Sequence, residues 1–183
     1  AVRRMILSNT EQQRKKALDE LLPLQRKDFY EIFKVMGDRP VTVRLLDPPL
    51  HEFLPTKEQD IENLAKSMDI SAADLKDTIE SLEEVNPMLG HRGCRVAVTY
   101  PEIYRMQTRA IIEAALDYKN SDGAEIVPEI MIPLIGDEVE LQYVKKEVEA
   151  EIEEVFAERK DTITYLIGTM IEVPRAAITA DDI

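Results

Sequence analysis

The chain has 183 residues and a mass of 20.9 kDa, room for one compact domain or for part of a larger one. Its 23 Lys and Arg against 36 Asp and Glu leave a formal charge of −13, an acidic field that excludes a nucleic-acid coat or an anionic-membrane binder. A hydrophobic content of 44% argues against disorder, and one Cys excludes an internal disulfide and suits a reducing, cytoplasmic setting; neither a membrane span nor a signal-peptide pattern is present.

In chain order, Thr10-Glu11-Gln12-Gln13 reads as a capping box that opens a helix carrying Ala17, Leu18, Leu21 and Leu22 on one side. Pro23 is expected to break or kink that helix. A second amphipathic helix is expected over residues 25–36, with Gly37 as its stop. Residues 41–46 form a short β-branched run before Asp47-Pro48-Pro49, which predicts a buried parallel strand with a stiff loop at its C-terminal end. Thr56 and Ser71 each begin a further capping signal, so helices are expected over residues 57–68 and 72–85. Residues 94–99 are the next expected strand, and Pro101 suits the first turn of a helix through residue 118. Residues 126–135 are strand-like around Pro128 and Pro133, whose missing N–H groups shorten the ladder. Leu141, Val144, Val148, Ile152 and Val155 mark one face of a helix, and the Glu run from Glu147 to Glu154 reads as its solvated face. Residues 163–171 are the last strand, and Pro174 opens a final helix.

Strand and helix alternating in this way predict right-handed βαβ units and a parallel sheet. Four strands are too few to close a (β/α)8 TIM barrel, which takes about 250 residues, and an open sheet of that size leaves exposed edges. The expectation is therefore an α/β fold that is part of a barrel, with about four to five of the βα units present, and a chain whose two ends look cut.

Three clusters fall where parallel strands end. Arg44 sits in an apolar strand, where a guanidinium is costly unless paired. It is either one half of a buried salt bridge or a bidentate grip on phosphate or carboxylate. The second cluster is Asn86-Pro87-Met88-Leu89-Gly90-His91-Arg92-Gly93-Cys94-Arg95, a tight glycine turn or an anion-handling loop. In the third, Gly168-Thr169-Met170-Ile171-Glu172-Val173-Pro174-Arg175, Glu172 ends a strand and is either a helix cap or a single carboxylate ligand of the kind Mg²⁺ accepts. Cys94 reads as a small buried apolar residue, and His51 and His91 lack metal-ligand spacing. No phosphate loop or dinucleotide fingerprint is present.

These clusters carry a resemblance. Residues 41–53, 86–95 and 168–177, which include Val43-Arg44-Leu45-Leu46-Asp47-Pro48-Pro49, Asn86-Pro87-Met88-Leu89-Gly90-His91-Arg92-Gly93-Cys94-Arg95 and Glu172-Val173-Pro174-Arg175-Ala176-Ala177, closely resemble the C-terminal phosphoenolpyruvate/pyruvate-binding barrel of the pyruvate phosphate dikinase family. The resemblance covers essentially the whole chain. Phosphoenolpyruvate synthase and enzyme I of the sugar phosphotransferase system share parts of these motifs. The resemblance implies that residues 1–183 are an incomplete barrel domain, without the family's nucleotide-binding and phosphohistidine domains. It implies a dimeric cytoplasmic enzyme that interconverts ATP, phosphate and pyruvate with AMP, diphosphate and phosphoenolpyruvate by way of a phosphohistidine. The barrel hosts the pyruvate half, with Mg²⁺. Arg44 would bind the phosphoryl group, Glu172 would be a Mg²⁺ ligand beside the substrate, and Arg92 and Arg95 would belong to the same basic surround. The family's other phosphate-binding arginine, its second metal-binding acid and its proton-donating Cys match no residue here; Cys94 is not that Cys. A phosphoenolpyruvate synthase barrel and a non-catalytic anion-binding or dimerisation module are the alternatives.

Overall fold

Thr10 caps the longest helix, its hydroxyl accepting the Gln13 N–H at 3.2 Å, as the sequence leads one to expect. A computed structural model of the chain describes residues 1–82, 86, 90–122 and 126–183. The elements in order are α1 (Val2–Ile6), α2 (Glu11–Met36), β1 (Val41–Arg44), a 3-10 turn (Leu50–Phe53), α3 (Glu58–Met68), α4 (Ala72–Leu82), α5 (Cys94–Thr99), α6 (Pro101–Asp122), β2 (Pro128–Ile132), α7 (Glu138–Arg159), β3 (Leu166–Thr169) and α8 (Pro174–Ile178). They fall into two units, one of Ala1–Leu21 with Pro48–Arg92 and one of Leu22–Asp47 with Gly93–Ile183.

The first unit is helical. Met5, Leu7, Leu18, Leu50, Ile61 and Leu75 are among its buried apolar residues, and two backbone acceptors tie it together. Arg3 donates from Nε to the Phe53 carbonyl at 2.9 Å, and the Leu50 N–H reaches the His91 carbonyl at 3.2 Å. Ser71 caps α4 by accepting the Asp74 N–H at 3.0 Å. The box at Thr56 does not form: Lys57 is the cap of α3 and makes no side-chain cap bond. The expected end of α4 at residues 83–85 and the motif residues 87–89 lie outside the described residues.

The second unit holds a small parallel sheet in the order β1-β2-β3. Its strands are shorter than the runs 41–46, 126–135 and 163–171, because each apolar run continues past its ladder into a loop. Register puts Val43, Ile130 and Ile167 in one row and Arg44, Met131 and Gly168 in the next. Side chains alternate between faces, so these rows point opposite ways. Ile130 and Ile132 are buried on the face against which α6 and α7 pack. Thr42, Arg44, Leu166 and Gly168 on the other face are exposed. Strand β1, with alternating half-buried and exposed residues, is not the buried strand that the sequence predicts.

Helices α6 and α7 supply the rest of this core. Ile111, Ile112, Leu116, Val144, Val148, Ile152 and Val155 are all at 0% exposure, which bears out the α7 stripe except at its first member, the half-buried Leu141. Its Glu run is only partly solvated. Glu151 is buried and accepts from Arg109 Nε at 2.5 Å and Arg105 Nε at 2.8 Å. Glu154 and Glu158 complete the pairing at 3.0 Å and 2.6 Å.

Two expectations are overturned. Residues 94–99 form helix α5, not a strand, so the described sheet has three strands. Cys94, Val96 and Ala97 are buried while Arg95, Val98 and Thr99 are exposed; six residues are too few to separate a period of 2.0 from one of 3.6, and tertiary burial outweighs β-branched propensity. Helix α2 also runs unbroken through Pro23, so neither the expected break nor a separate second helix over residues 25–36 occurs. Proline removes one backbone hydrogen bond, while Ala17, Leu18 and Leu21 before it and Phe33 after it stay buried.

Candidate functional site

Arg44 and Glu172 lie at the same end of the sheet. Arg44 is the last residue of β1, and its neighbour Leu45 donates its N–H to the Met131 carbonyl of β2 at 3.0 Å. Glu172 stands three residues beyond β3, in the loop before α8. The end of β3 is fastened to β2, because the Ile132 carbonyl accepts both Thr169 Oγ1 at 2.9 Å and the Met170 N–H at 3.2 Å. All three strands are parallel, so both residues are at the C-terminal edge.

The loop after β1 is clamped at Leu46. Gln107 of α6 accepts the Leu46 N–H at 2.8 Å, and Tyr104 donates its hydroxyl to the Leu46 carbonyl at 2.8 Å. Burial raises the Tyr104 pKa well beyond its ordinary value, with Cys94 and Asp47 adding to the shift, so the phenol keeps the proton it donates. This clamp sets Asp47, whose side chain is 2% exposed, to pair with Arg44 Nη1 at 3.1 Å. The Arg44 side chain itself stays 44% exposed. The buried partner is thus the carboxylate, and the guanidinium fork reaches outward.

On the other side, Glu172 is not a helix cap. Val173 occupies that position for α8, and Glu172 Oε1 accepts the N–H of Leu134 at 2.8 Å. Leu134 follows β2 and has φ +64, which for a residue with a Cβ costs of order 1–3 kcal/mol. Cys94 Sγ lies 3.1 Å from the Leu134 carbonyl. Burial pushes the thiol to about 11, aided by Glu140, so near neutrality it is protonated and donates. Gly93, at φ +57, lies between the two halves: a Cβ there would come within 2.7 Å of Leu134 Cβ and 3.1 Å of Asp47 Oδ1. A continuous line of contacts therefore runs from Arg44 through Asp47, Gly93 and Leu134 to Glu172.

Of the expected site residues, Arg44 and Glu172 share this edge. Arg95 is exposed on α5, and half-buried Arg92 closes the first unit. Asp47, Tyr104, Gln107 and Leu134 were given no role by the sequence. Only the Pro133-to-Gly136 spacing after the strand was a usable sign of a turn at Leu134.

A family model described as "PEP-utilising enzyme, PEP-binding domain" matches residues 2–183. The chain belongs to that family. It is 53% identical over 182 residues to pyruvate, phosphate dikinase of Clostridium symbiosum and 54% identical over 182 residues to that of Rhizobium meliloti (strain 1021). It is 50% identical over 185 residues to pyruvate, phosphate dikinase 1, chloroplastic, of Arabidopsis thaliana. In each case the whole chain is covered but only 21%, 20% and 19% of the relative, so the chain spans about a fifth of the length of these curated relatives. Among the described residues no helix is long and apolar enough to cross a membrane.

The family implies Mg²⁺, and the donor chemistry at this edge fits it. No group of three or more His, Cys, Asp or Glu that would cage a metal occurs among the described residues. Glu172, exposed and held through one oxygen, offers a hard ligand of the single-carboxylate kind that Mg²⁺ takes while keeping water and substrate oxygens.

Proposed function

We propose that residues 1–183 are part of the phosphoenolpyruvate/pyruvate-binding barrel of a pyruvate phosphate dikinase, a phosphotransferase that interconverts ATP, phosphate and pyruvate with AMP, diphosphate and phosphoenolpyruvate. The observation that carries this reading is the placement of Arg44 and Glu172 at one C-terminal sheet edge, joined through Asp47, Gly93 and Leu134. Barrel enzymes of this architecture hold their chemistry at that edge. The exposed sheet face bearing Thr42, Arg44 and Gly168 agrees with a barrel interior, since an open doubly wound sheet has helices on both faces.

In this reading Arg44 receives the phosphoryl group. Its planar fork is turned outward by a buried Asp47 and meets non-bridging phosphate oxygens in pairs. The pyruvate methyl group loses a proton to a base outside this chain, the enolate oxygen attacks phosphorus, and the P–N bond to the phosphohistidine breaks. Arg44 offsets charge on the transferring group through that exchange. Glu172 holds Mg²⁺, which when bound supplies Lewis-acid polarisation of the substrate's carboxylate and carbonyl oxygens. Arg95, with Arg92, adds positive field. The nucleotide-binding and phosphohistidine domains, the remaining strands and a homodimer contact would come from outside these residues, and the enzyme would work in a reducing compartment such as the cytoplasm.

The test uses the complete enzyme carrying this chain. Pyruvate-dependent turnover that requires inorganic phosphate, and Mn²⁺ binding that is lost in Glu172→Gln, are expected. Turnover without phosphate would identify a phosphoenolpyruvate synthase instead, and unchanged Mn²⁺ binding would remove Glu172 from the metal.

A further inference from the structure

Leu134 is a buried aliphatic residue in a backbone conformation that favours glycine. Its side chain, 5% exposed, anchors it, and three neighbours hold the backbone. The Leu134 N–H points to Glu172 Oε1 at 2.8 Å, and its carbonyl accepts from Cys94 Sγ at 3.1 Å. The preceding carbonyl, of Pro133, accepts the Cys94 N–H at 3.2 Å. The start of α5 is thus fastened to two successive carbonyls of the turn after β2, and the same turn gives its amide to Glu172.

The fastening depends on Gly93. An added Cβ would overlap Leu134 Cβ at 2.7 Å, and φ +57 is itself strained for any other residue. Rotation of Leu134 to a relaxed φ would take its carbonyl off Cys94 or its amide off Glu172, because the two backbone groups face different neighbours. The strained backbone therefore serves two contacts at once, and one of them is the N–H aimed at the Glu172 carboxylate.

We propose that Leu134, held at positive φ by Gly93 and Cys94, is a positioning residue that fixes the Glu172 carboxylate for a divalent cation. This rests on the reading of Glu172 as the metal ligand. A carboxylate with one oxygen engaged by a fixed donor keeps a single rotamer and presents its other oxygen outward, and such outer partners change metal affinity by about 10–100-fold when removed.

The decisive experiment replaces the Leu134 amide by an ester in the complete enzyme, incorporating leucic acid at that position. This deletes the donor and keeps every side chain. Mn²⁺ alone is the probe, titrated by its electron paramagnetic resonance signal with no turnover required. The expected result is affinity weakened by about tenfold or more. Gly93→Ala shifts it the same way, while Cys94→Ser, which keeps a donor toward the Leu134 carbonyl, stays close to the unsubstituted enzyme. If Gly93→Ala fails to fold, the ester decides alone. Glu172→Gln is run beside them. Loss of Mn²⁺ binding in Glu172→Gln with unchanged affinity in the ester overturns the positioning role and leaves Glu172 as ligand. Unchanged binding in Glu172→Gln overturns the ligand reading, and the proposal with it.

Discussion

The α6–α7 seam and the C-terminal edge of the sheet both pair arginines with acids, in opposite ways. At the seam, Arg109 meets Glu113, Glu151, Glu154 and Glu158, and Arg105 meets Glu147, Glu151 and Glu154. Hydrogen bonding to Glu158 leads the shift that raises the Arg109 pKa, and hydrogen bonding to Glu151 does the same for Arg105. At the edge, Arg44 is more exposed than its Asp47 partner, and Glu172 accepts a neutral backbone N–H. Charge surrounded by opposite charge fastens helices together. Charge that a buried partner only aims is left able to meet a ligand.

Substitution at the edge is expected to have the largest effect. Arg44→Ala in the complete enzyme should slow the pyruvate half-reaction by roughly 10²–10³-fold, the usual consequence of deleting one preorganised charge stabiliser, while ATP–AMP exchange continues. Isotope exchange on each half-reaction measures this. Equal loss in both would show that Arg44 supports folding, as the seam arginines do.

The seam should respond in stability instead. Glu151→Ala removes the acid shared by Arg105 and Arg109, and the expected cost is about 2–3 kcal/mol, the upper part of the range for hydrogen bonds to charged groups. Urea unfolding reads the loss. Both half-reactions should keep their rates at temperatures where the variant stays folded, and a selective loss of one would make the seam part of the machinery.

The pH dependence separates the same two regions with a smaller effect. Hydrogen bonding to Arg109 lowers the Glu158 pKa, and hydrogen bonding to Lys119 lowers that of Asp161. A carboxylate with a depressed folded pKa stabilises above its unfolded value, about 4, and loses that contribution as pH falls through the lower one. Urea midpoints should therefore drop below about pH 4, and added salt should shrink the difference, most for the exposed Glu158 and less for the half-buried Asp161. Cys94 acts at the other extreme. Its folded pKa of about 11 lies above the unfolded thiol's, so its contribution is present at neutral pH and lost as pH rises from about 8.5.

How much of this was readable follows from the range of each interaction. The α7 stripe at Val144, Val148, Ile152 and Val155, the caps at Thr10 and Ser71 and the stop at Gly37 depend on neighbours within one or two turns, and all formed. The residues 94–99 misled because their helix is set by the Pro133 and Leu134 carbonyls some forty positions away. Arg44 and Glu172 were found because a charge at a strand end is conspicuous. Asp47 and Leu134 were not, since an Asp before two prolines reads as loop and a Leu after a proline reads as core. Glu151 was misread as solvated because a run of glutamates does not reveal which one faces an arginine.

Gly168 gives the smallest effect and the finest division of the edge. It shares a row with Met131 and Arg44, and a Cβ built on it meets nothing within 4 Å. A glycine within a strand costs about 0.5–1 kcal/mol relative to alanine through chain entropy, so Gly168→Ala should raise stability by about that amount. Two strand spacings put it roughly 10 Å from the Arg44 backbone. Glu172 lies four residues further along and beyond the ladder, where the proposed metal sits. The pyruvate KM and Mn²⁺ affinity of the complete enzyme should then be unchanged, since the added methyl group is two strands from Arg44 and four residues short of Glu172. A raised stability joined to a markedly raised KM would show that substrate spreads along the Arg44 row as far as β3, and the site would have to be drawn wider across the exposed face.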